Sequence, residues 1–240
     1  MLILAVDTST RTGSAAVLRH SEVLAEVSGY EETPYSSRLF RDIALLQDRA
    51  NFRLDQVDVF AVAAGPGSFT GLRVGVTAVK AWAEVHGKPI AAVSGLEAIA
   101  AESLVGETPS ARAAHLIAPF LDARRGQIFG AIYRRIPGDA TGLTLASDES
   151  ILSVDEFLEL VKAKSPQFVQ LVSPTPDVLP AALVSEVLPG ARIVQVSTAL
   201  ASAIGRLGFE RAKRGDLVDS LQLEANYVRR SDAESAWKDR

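Results

Sequence analysis

Hydrophobic and polar positions alternate in blocks along the first hundred residues, and the blocks predict elements. Leu2 to Val6 is a short apolar run closed by Asp7, dense enough for a strand buried on both faces. A polar turn follows, Asp7-Thr8-Ser9-Thr10-Arg11-Thr12-Gly13. Ser14 to Leu18 and Glu22 to Val27 then predict two further strands of a meander, joined at Arg19-His20-Ser21. Leu39, Ile43, Leu46 and Ala50 recur at helical spacing and predict a helix over Ser36 to Ala50. The β-branched-rich run Val57 to Ala64 predicts a central strand. It enters the loop Gly65-Pro66-Gly67-Ser68-Phe69-Thr70 and then a helix from Gly71 to His86, stopped by Gly87-Lys88-Pro89. Ile90 to Ser94 predicts another strand and Leu96 to Ser103 another helix.

After a linker at Gly106-Glu107-Thr108-Pro109-Ser110 the opening pattern returns. Leu116 to Leu121 leads into Asp122, a turn with Gly126, and the apolar run Gln127 to Tyr133, as Leu4-Ala5-Val6-Asp7 leads through Gly13 into Ser14 to Leu18. This reads as an internal duplication of two βββαβα-like lobes, against the plainer reading that any two hairpins look alike. The rest predicts helices over Val154 to Lys164, Asp177 to Leu188 and Thr198 to Arg214, the last ended by Gly215, and strands over Gln167 to Val172 and Arg192 to Val196. Ile136 to Ser150 is polar and reads as a variable loop or hairpin. The expected division is an N-terminal lobe over 1–105, a C-terminal lobe over 111–228 and a tail over 229–240, in an α/β fold.

Composition narrows the function classes. The chain has 240 residues, 48% of them apolar and 22% charged, as in ordinary globular proteins. With 25 basic and 29 acidic side chains its net charge is -4, without the basic excess of a lone nucleic-acid binder. It has no cysteine, which excludes disulfides, thiolate nucleophiles and Cys-ligated zinc. Its three histidines, His20, His86 and His115, are too far apart for a His-x-x-x-His metal site. No basic leader precedes the first strand and no apolar stretch approaches the ~20 residues that span a bilayer, so the expected location is the cytoplasm, away from membranes.

Candidate chemistry concentrates between Gly65 and Gly71. A strand running through a Gly-rich loop into a helix turns backbone N–H groups toward an anion, which makes Gly65, Gly67 and Ser68 a candidate anion loop. The alternative is a tight turn in which glycine permits close packing. Walker A fails because Leu72 follows Gly71, the dinucleotide pattern fails at Thr70, and Pro66 and Thr70 flank Ser68 where a nucleophile elbow needs glycines. Asp7 and Asp122 end matching strands; each could hold a hydrated metal or orient a phosphate, but capping its own turn is favoured. No catalytic constellation and no metal site emerge. Arg124-Arg125 and Tyr227-Val228-Arg229-Arg230 read as solvated basic clusters.

The helix after the loop is unusual. Its polar side chains Arg73, Thr77, Lys80 and Glu84 form one narrow stripe, and the rest is apolar over far more than the ~100° that one sheet covers. It therefore needs cover on a second side, from the other lobe or from a partner subunit. Gly71 and Gly75 would admit a close neighbour. The first helix is similarly broad. The expected partner-facing residues are Leu39, Phe40, Ile43, Leu46, Leu72, Arg73, Val76 and Val79.

Several blocks in fixed order carry a family resemblance: Asp7-Thr8-Ser9-Thr10, Gly65-Pro66-Gly67-Ser68-Phe69-Thr70-Gly71-Leu72-Arg73-Val74-Gly75, Val93-Ser94-Gly95-Leu96, Leu121-Asp122-Ala123-Arg124-Arg125-Gly126-Gln127-Ile128-Phe129 and Tyr227-Val228-Arg229. Together they resemble the TsaB family, also called YeaZ, over nearly the whole chain. The resemblance implies a two-lobed actin-like ATPase (ASKHA) fold. It also implies membership of the complex that forms N6-threonylcarbamoyladenosine at position 37 of tRNAs reading codons beginning with A. In that family the catalytic, metal-binding subunit is the paralogue TsaD, TsaB is its non-catalytic heterodimer partner, and the ATPase TsaE joins them. ATP and metal then belong to the partners, tRNA is met only through the complex, and the isolated chain has the option of a homodimer. Three departures agree with a non-catalytic role: the His-x-x-x-His pair that marks the catalytic paralogue is missing, Ser9 stands where the actin-like phosphate hairpin has glycine, and Ser173-Pro174-Thr175-Pro176 stands at the expected adenosine turn. Tyr35 stands where many relatives carry histidine. The rival readings are an actin-like small-molecule kinase with Asp7 as base, and a glycopeptidase-like protease.

Overall fold

The computed structural model describes residues 1–29, 35–105, 115–136, 142–164 and 168–228. The linker at 106–110 and the tail at 229–240 lie outside the described residues. Strands β1 (Leu2–Asp7), β2 (Ser14–Arg19) and β3 (Glu22–Ser28) form the meander. Helix α1 (Tyr35–Ala50), strand β4 (Val59–Gly65), helix α2 (Phe69–His86), strand β5 (Ile90–Ser94) and helix α3 (Gly95–Glu102) follow. The second half repeats the series with β6 (Leu116–Arg124), β7 (Gln127–Arg135), β8 (Leu143–Ser153), α4 (Val154–Ala163), β9 (Val169–Ser173), α5 (Ala181–Val187), β10 (Arg192–Gln195) and α6 (Ala201–Arg214). The sheets have orders β3-β2-β1-β4-β5 and β8-β7-β6-β9-β10, strand for strand the same topology. In each, a hairpin pair is antiparallel and the two helix-linked strands are parallel. The duplication inferred from two Asp-ended strands therefore extends through both halves.

The layers follow from which face of each strand is apolar. In β1, Leu4 and Val6 join the core under α1 and α2, while Ile3 and Ala5 join a second core shared with β6, β7, α3 and α6. A third core lies between the second sheet and α4 with α5. Both faces of β1 are covered, which is why its sequence is continuously apolar instead of alternating.

Several expectations change. Residues 201–228, expected in the C-terminal lobe, lie on the first sheet: α6 packs on β1, β2, β4 and β5, and a strap after it reaches β5 and α2. Conversely α3, from the first half, packs on β6. Of the two alternatives over 136–150, the hairpin is the one found: the long strand β8 pairs antiparallel with β7. Its polar residues have partners on the strand's half-buried surface; Ser147, for example, accepts a hydrogen bond from the backbone N–H of Ile132 at 2.9 Å. The helix expected over Asp177 to Leu188 is split. A 3-10 turn, Pro176–Val178, precedes α5, because Pro180 has no N–H to continue a helix and pushes Leu179 to extended backbone. Helix α2 starts at Phe69, two residues earlier than expected, with Ser68 as its N-cap.

Candidate functional site

The turn after β1 is built around Asp7. Its carboxylate is fully buried. One oxygen accepts from the Ser9 N–H at 2.8 Å and the Ser9 hydroxyl at 2.6 Å, the other from the Thr10 hydroxyl at 3.2 Å. Burial pushes the Asp7 pKa above the ordinary carboxylate value, opposed by those hydrogen bonds. Asp122 caps its own turn in the same way, accepting the Arg124 N–H at 2.7 Å and pairing with the Arg124 guanidinium at 3.1 Å. Capping is thus the observed role of both.

The glycines of the loop face protein. A Cβ on Gly65 would strike the carbonyl oxygen of Asn226 in the strap, and the Asn226 N–H donates to the Ala64 carbonyl at 2.6 Å. A Cβ on Gly67 would lie 2.6 Å from the Ser9 carbonyl oxygen, which already accepts the Ser68 N–H at 2.8 Å. Further along α2, Cβ atoms on Gly71 and Gly75 would collide with the carbonyl and hydroxyl oxygens of Thr8. Thr8 Oγ1 in turn donates to the Gly71 carbonyl at 2.7 Å and accepts the Gly75 N–H at 3.1 Å. The motif therefore presses α2 onto the Asp7 turn. Of the candidate anion donors, the Ser68 N–H is taken by Ser9, and the Ser68 hydroxyl caps Gly71 at 3.3 Å.

A cleft of about 690 Å³ opens between the lobes, with Ser9, Ser68 and Phe69 on one wall, Asp122 and Phe129 on the other, and Tyr227 at the strap. Pro174 and Thr175 line it from the second lobe. Among the described residues no group of three or more histidines or carboxylates is placed to hold a metal.

The outer faces of α1 and α2 differ from expectation. Leu39, Ile43, Leu46, Leu72, Val76 and Val79 are buried in the chain's own core and are not at its surface. The second side of α2 is covered by α1 and by the strap, whose Leu223 is only 1% exposed; neither the other lobe nor a partner is needed there. Of the eight expected docking residues, Phe40 and Arg73 are exposed. Phe40 leans edge-on against Trp82 at 6.2 Å, and the Arg73 guanidinium lies 3.9 Å over the Phe69 ring. Val85, near the C-terminal end of α2, is a third large exposed group.

Two clusters escaped sequence reading. Arg38 and Asp42 are buried in α1 as an ion pair at 3.4 Å. The Arg38 guanidinium lies 4.4 Å over the Tyr35 ring and also donates to the Thr12 carbonyl, tying α1 to the Asp7 turn. Tyr35, Arg38 and Asp42 stand at i, i+3 and i+7 beside Leu39, Ile43 and Leu46, a spacing that placed them on the buried face. The second cluster centres on Glu149 of β8. It accepts from the hydroxyls of Ser94 and Tyr133 on one oxygen and from the Asn226 side-chain amide at 2.7 Å on the other. Burial, with a smaller contribution from Glu97, raises the Glu149 pKa against those hydrogen bonds. No local pattern announced it.

This double-sheet arrangement with helices outside and between is the actin-like ATPase (ASKHA) fold. A hexokinase of the ROK family from Thermus thermophilus shares it with a TM-score of 0.55 at 14% identity, over 89% of this chain and all of that one. A family model, TsaD: tRNA N6-adenosine threonylcarbamoyltransferase, matches residues 32–207. The tRNA threonylcarbamoyladenosine biosynthesis protein TsaB of Bacillus subtilis is 31% identical over 99% of this chain and 98% of its own length. YeaZ from Pseudomonas aeruginosa superposes with a TM-score of 0.70 at 26% identity, over 94% of this chain and 99% of that one. The chain belongs to the TsaB (YeaZ) family, within the wider group that includes TsaD.

Proposed function

We propose that this chain serves tRNA threonylcarbamoyladenosine biosynthesis as a cytoplasmic, non-catalytic subunit. It would dock a TsaD-like catalytic paralogue through the outer faces of α1 and α2 and work with a TsaE-like ATPase. The observation that carries the non-catalytic reading is the Asp7 turn. This carboxylate is fully buried and accepts three hydrogen bonds from its own turn, which supports a structural rather than a catalytic use. The Gly-rich loop supports the same reading, since its glycines seat the strap and the Asp7 turn. ATP and metal then act on the partner subunits, and tRNA is met through the complex. The docking reading is supported by Phe40, Arg73 and Val85, large side chains left at the surface of two helices whose other faces are fully packed.

The test is reconstitution. The purified chain, a TsaD-like protein and a TsaE-like protein are assayed singly and together for ATP hydrolysis and for transfer of labelled threonylcarbamoyl to tRNA. The expected result is no turnover by this chain alone, co-elution with the TsaD-like protein, and full activity only when it is present. Hydrolysis or transfer by the chain alone would overturn the reading.

A further inference from the structure

The strap has a distinct course. After the left-handed Gly215 ends α6, Val218 and Ile90 exchange both backbone hydrogen bonds, at 2.8 and 2.9 Å, at the open edge of β5. Ser220 bonds to Glu84 of α2, Leu223 is buried beside that helix, and Asn226 seats on Ala64 and Gly65. Tyr227 then meets Phe69 at 5.0 Å between ring centres. All of these contacts belong to the first sheet and its helices. One contact does not: the Asn226 side chain crosses to Glu149 of the second sheet at 2.7 Å. The same carboxylate holds the Ser94 hydroxyl, at the point where β5 becomes α3, and Tyr133 of β7. Three separately anchored pieces of the chain therefore meet on the two oxygens of one half-buried side chain.

We propose that Glu149 and Asn226 form a clasp coupling the seating of the strap on α2 to the spacing of the two sheets across the cleft. A carboxylate can keep both the Ser94 hydroxyl and the Asn226 amide only if β8 holds its place relative to β5 and the strap. On the other side the strap has little freedom, because the Asn226 carbonyl lies against the Cα of Gly65 where no side chain fits. A change in cleft width must therefore break the clasp or pull the strap from its seat. Unseating the strap uncovers the flank of α2 that Leu223 covers. The glycine at 65 is thereby explained by the strap, and the cleft is linked mechanically to the helix whose other face is exposed. The coupling is a property of the isolated chain and does not depend on which partner docks.

Hydrogen–deuterium exchange on the full chain tests this, comparing the parent with Asn226→Ala, Glu149→Gln, their double variant and Asn226→Asp. Asn226 is exposed, so its variants fold even if Glu149→Gln does not. Each single substitution is expected to raise exchange at least about fivefold in segments 216–228, 143–151 and 90–97 together, because strap and sheets open as one unit. The double variant should exceed the larger single effect by less than about twofold, the signature of two groups in one interaction. Asn226→Asp sets two carboxylates against each other and should give the largest effect. The proposal is overturned if Asn226→Ala loosens 216–228 alone, if no segment responds, or if the two single effects multiply in the double variant.

Discussion

Leu39 and Phe40 are adjacent in α1 but differ sharply in burial: Leu39 is 1% exposed against the first sheet, and Phe40 is 69% exposed above Trp82. Under the docking proposal, that pair separates folding from association. Phe40→Asp and Arg73→Glu are expected to leave the melting temperature within about 2 °C of the parent, since exposed substitutions commonly change stability by ~0.5 kcal/mol or less. Both should abolish co-elution with the TsaD-like partner in size-exclusion chromatography with light scattering. Leu39→Ala should instead lose about 2–5 kcal/mol of stability while the folded fraction still binds. If Phe40→Asp and Arg73→Glu leave association intact, the docking face lies elsewhere.

Glycines of the same residue type should differ sharply in tolerance. At Gly87 the backbone is left-handed and no atom lies within 4 Å of an added Cβ, so Gly87→Ala should cost only about 1 kcal/mol. At Gly71 the added methyl meets the Thr8 backbone carbonyl, which cannot swing aside, and Gly71→Ala should cost on the order of 3 kcal/mol. Urea unfolding midpoints measure both; equal losses would mean that the close approach of α2 to the Asp7 turn is unimportant.

The Arg38–Asp42 pair makes a third prediction. The Arg38 and Asp42 side chains are 3% and 5% exposed, and among the described residues the second cation near Asp42 is the solvent-exposed Arg41 guanidinium at 3.9 Å. Arg38→Met strands a buried carboxylate and should cost about 3–5 kcal/mol, whereas Arg38→Met with Asp42→Leu should recover most of the loss. A double variant as unstable as the single one would show that Arg38 acts through the Thr12 carbonyl and Tyr35 instead.

Asp7 predicts a pH dependence. Its folded pKa is raised above the unfolded value of 3.8 by burial, so the folded state binds the proton more tightly. The charged carboxylate thus lowers stability in full above the folded pKa, and that penalty fades as pH falls through it toward 3.8. Asp7→Asn, whose oxygen still accepts from Ser9 and whose amide still reaches Thr10, removes the titration. The stability gained by Asp7→Asn should be largest near pH 7 and shrink steadily toward pH 4, read by denaturant unfolding at each pH. A difference that grows on acidification would contradict the burial argument.

Much of the scaffold was legible because its causes are local. The apolar run of β1, the Asp turns at 7 and 122, the Gly87 end of α2 and the repeat of strand, turn and strand all depend on residues within one element or the next. At β8 the sequence left a loop and a hairpin both open, because polar residues satisfied by neighbouring strands do not alternate like a half-solvated strand.

By itself, the sequence determined the order of elements, the duplicated lobe, the family motif and the absence of thiol chemistry. Period, capping and composition act over a few residues and can be read in one dimension. Tertiary structure alone decided what each face meets. It placed α6 and the strap on the first sheet, turned Leu39 inward and Phe40 outward, set Asn226 on Gly65 and joined Glu149 to Ser94. Those partners are 55 residues apart or more where they join distant elements, as in Ser94 with Glu149. A hydrogen bond or a collision between such residues depends on how whole sheets and helices stack, which leaves no periodic trace along the chain.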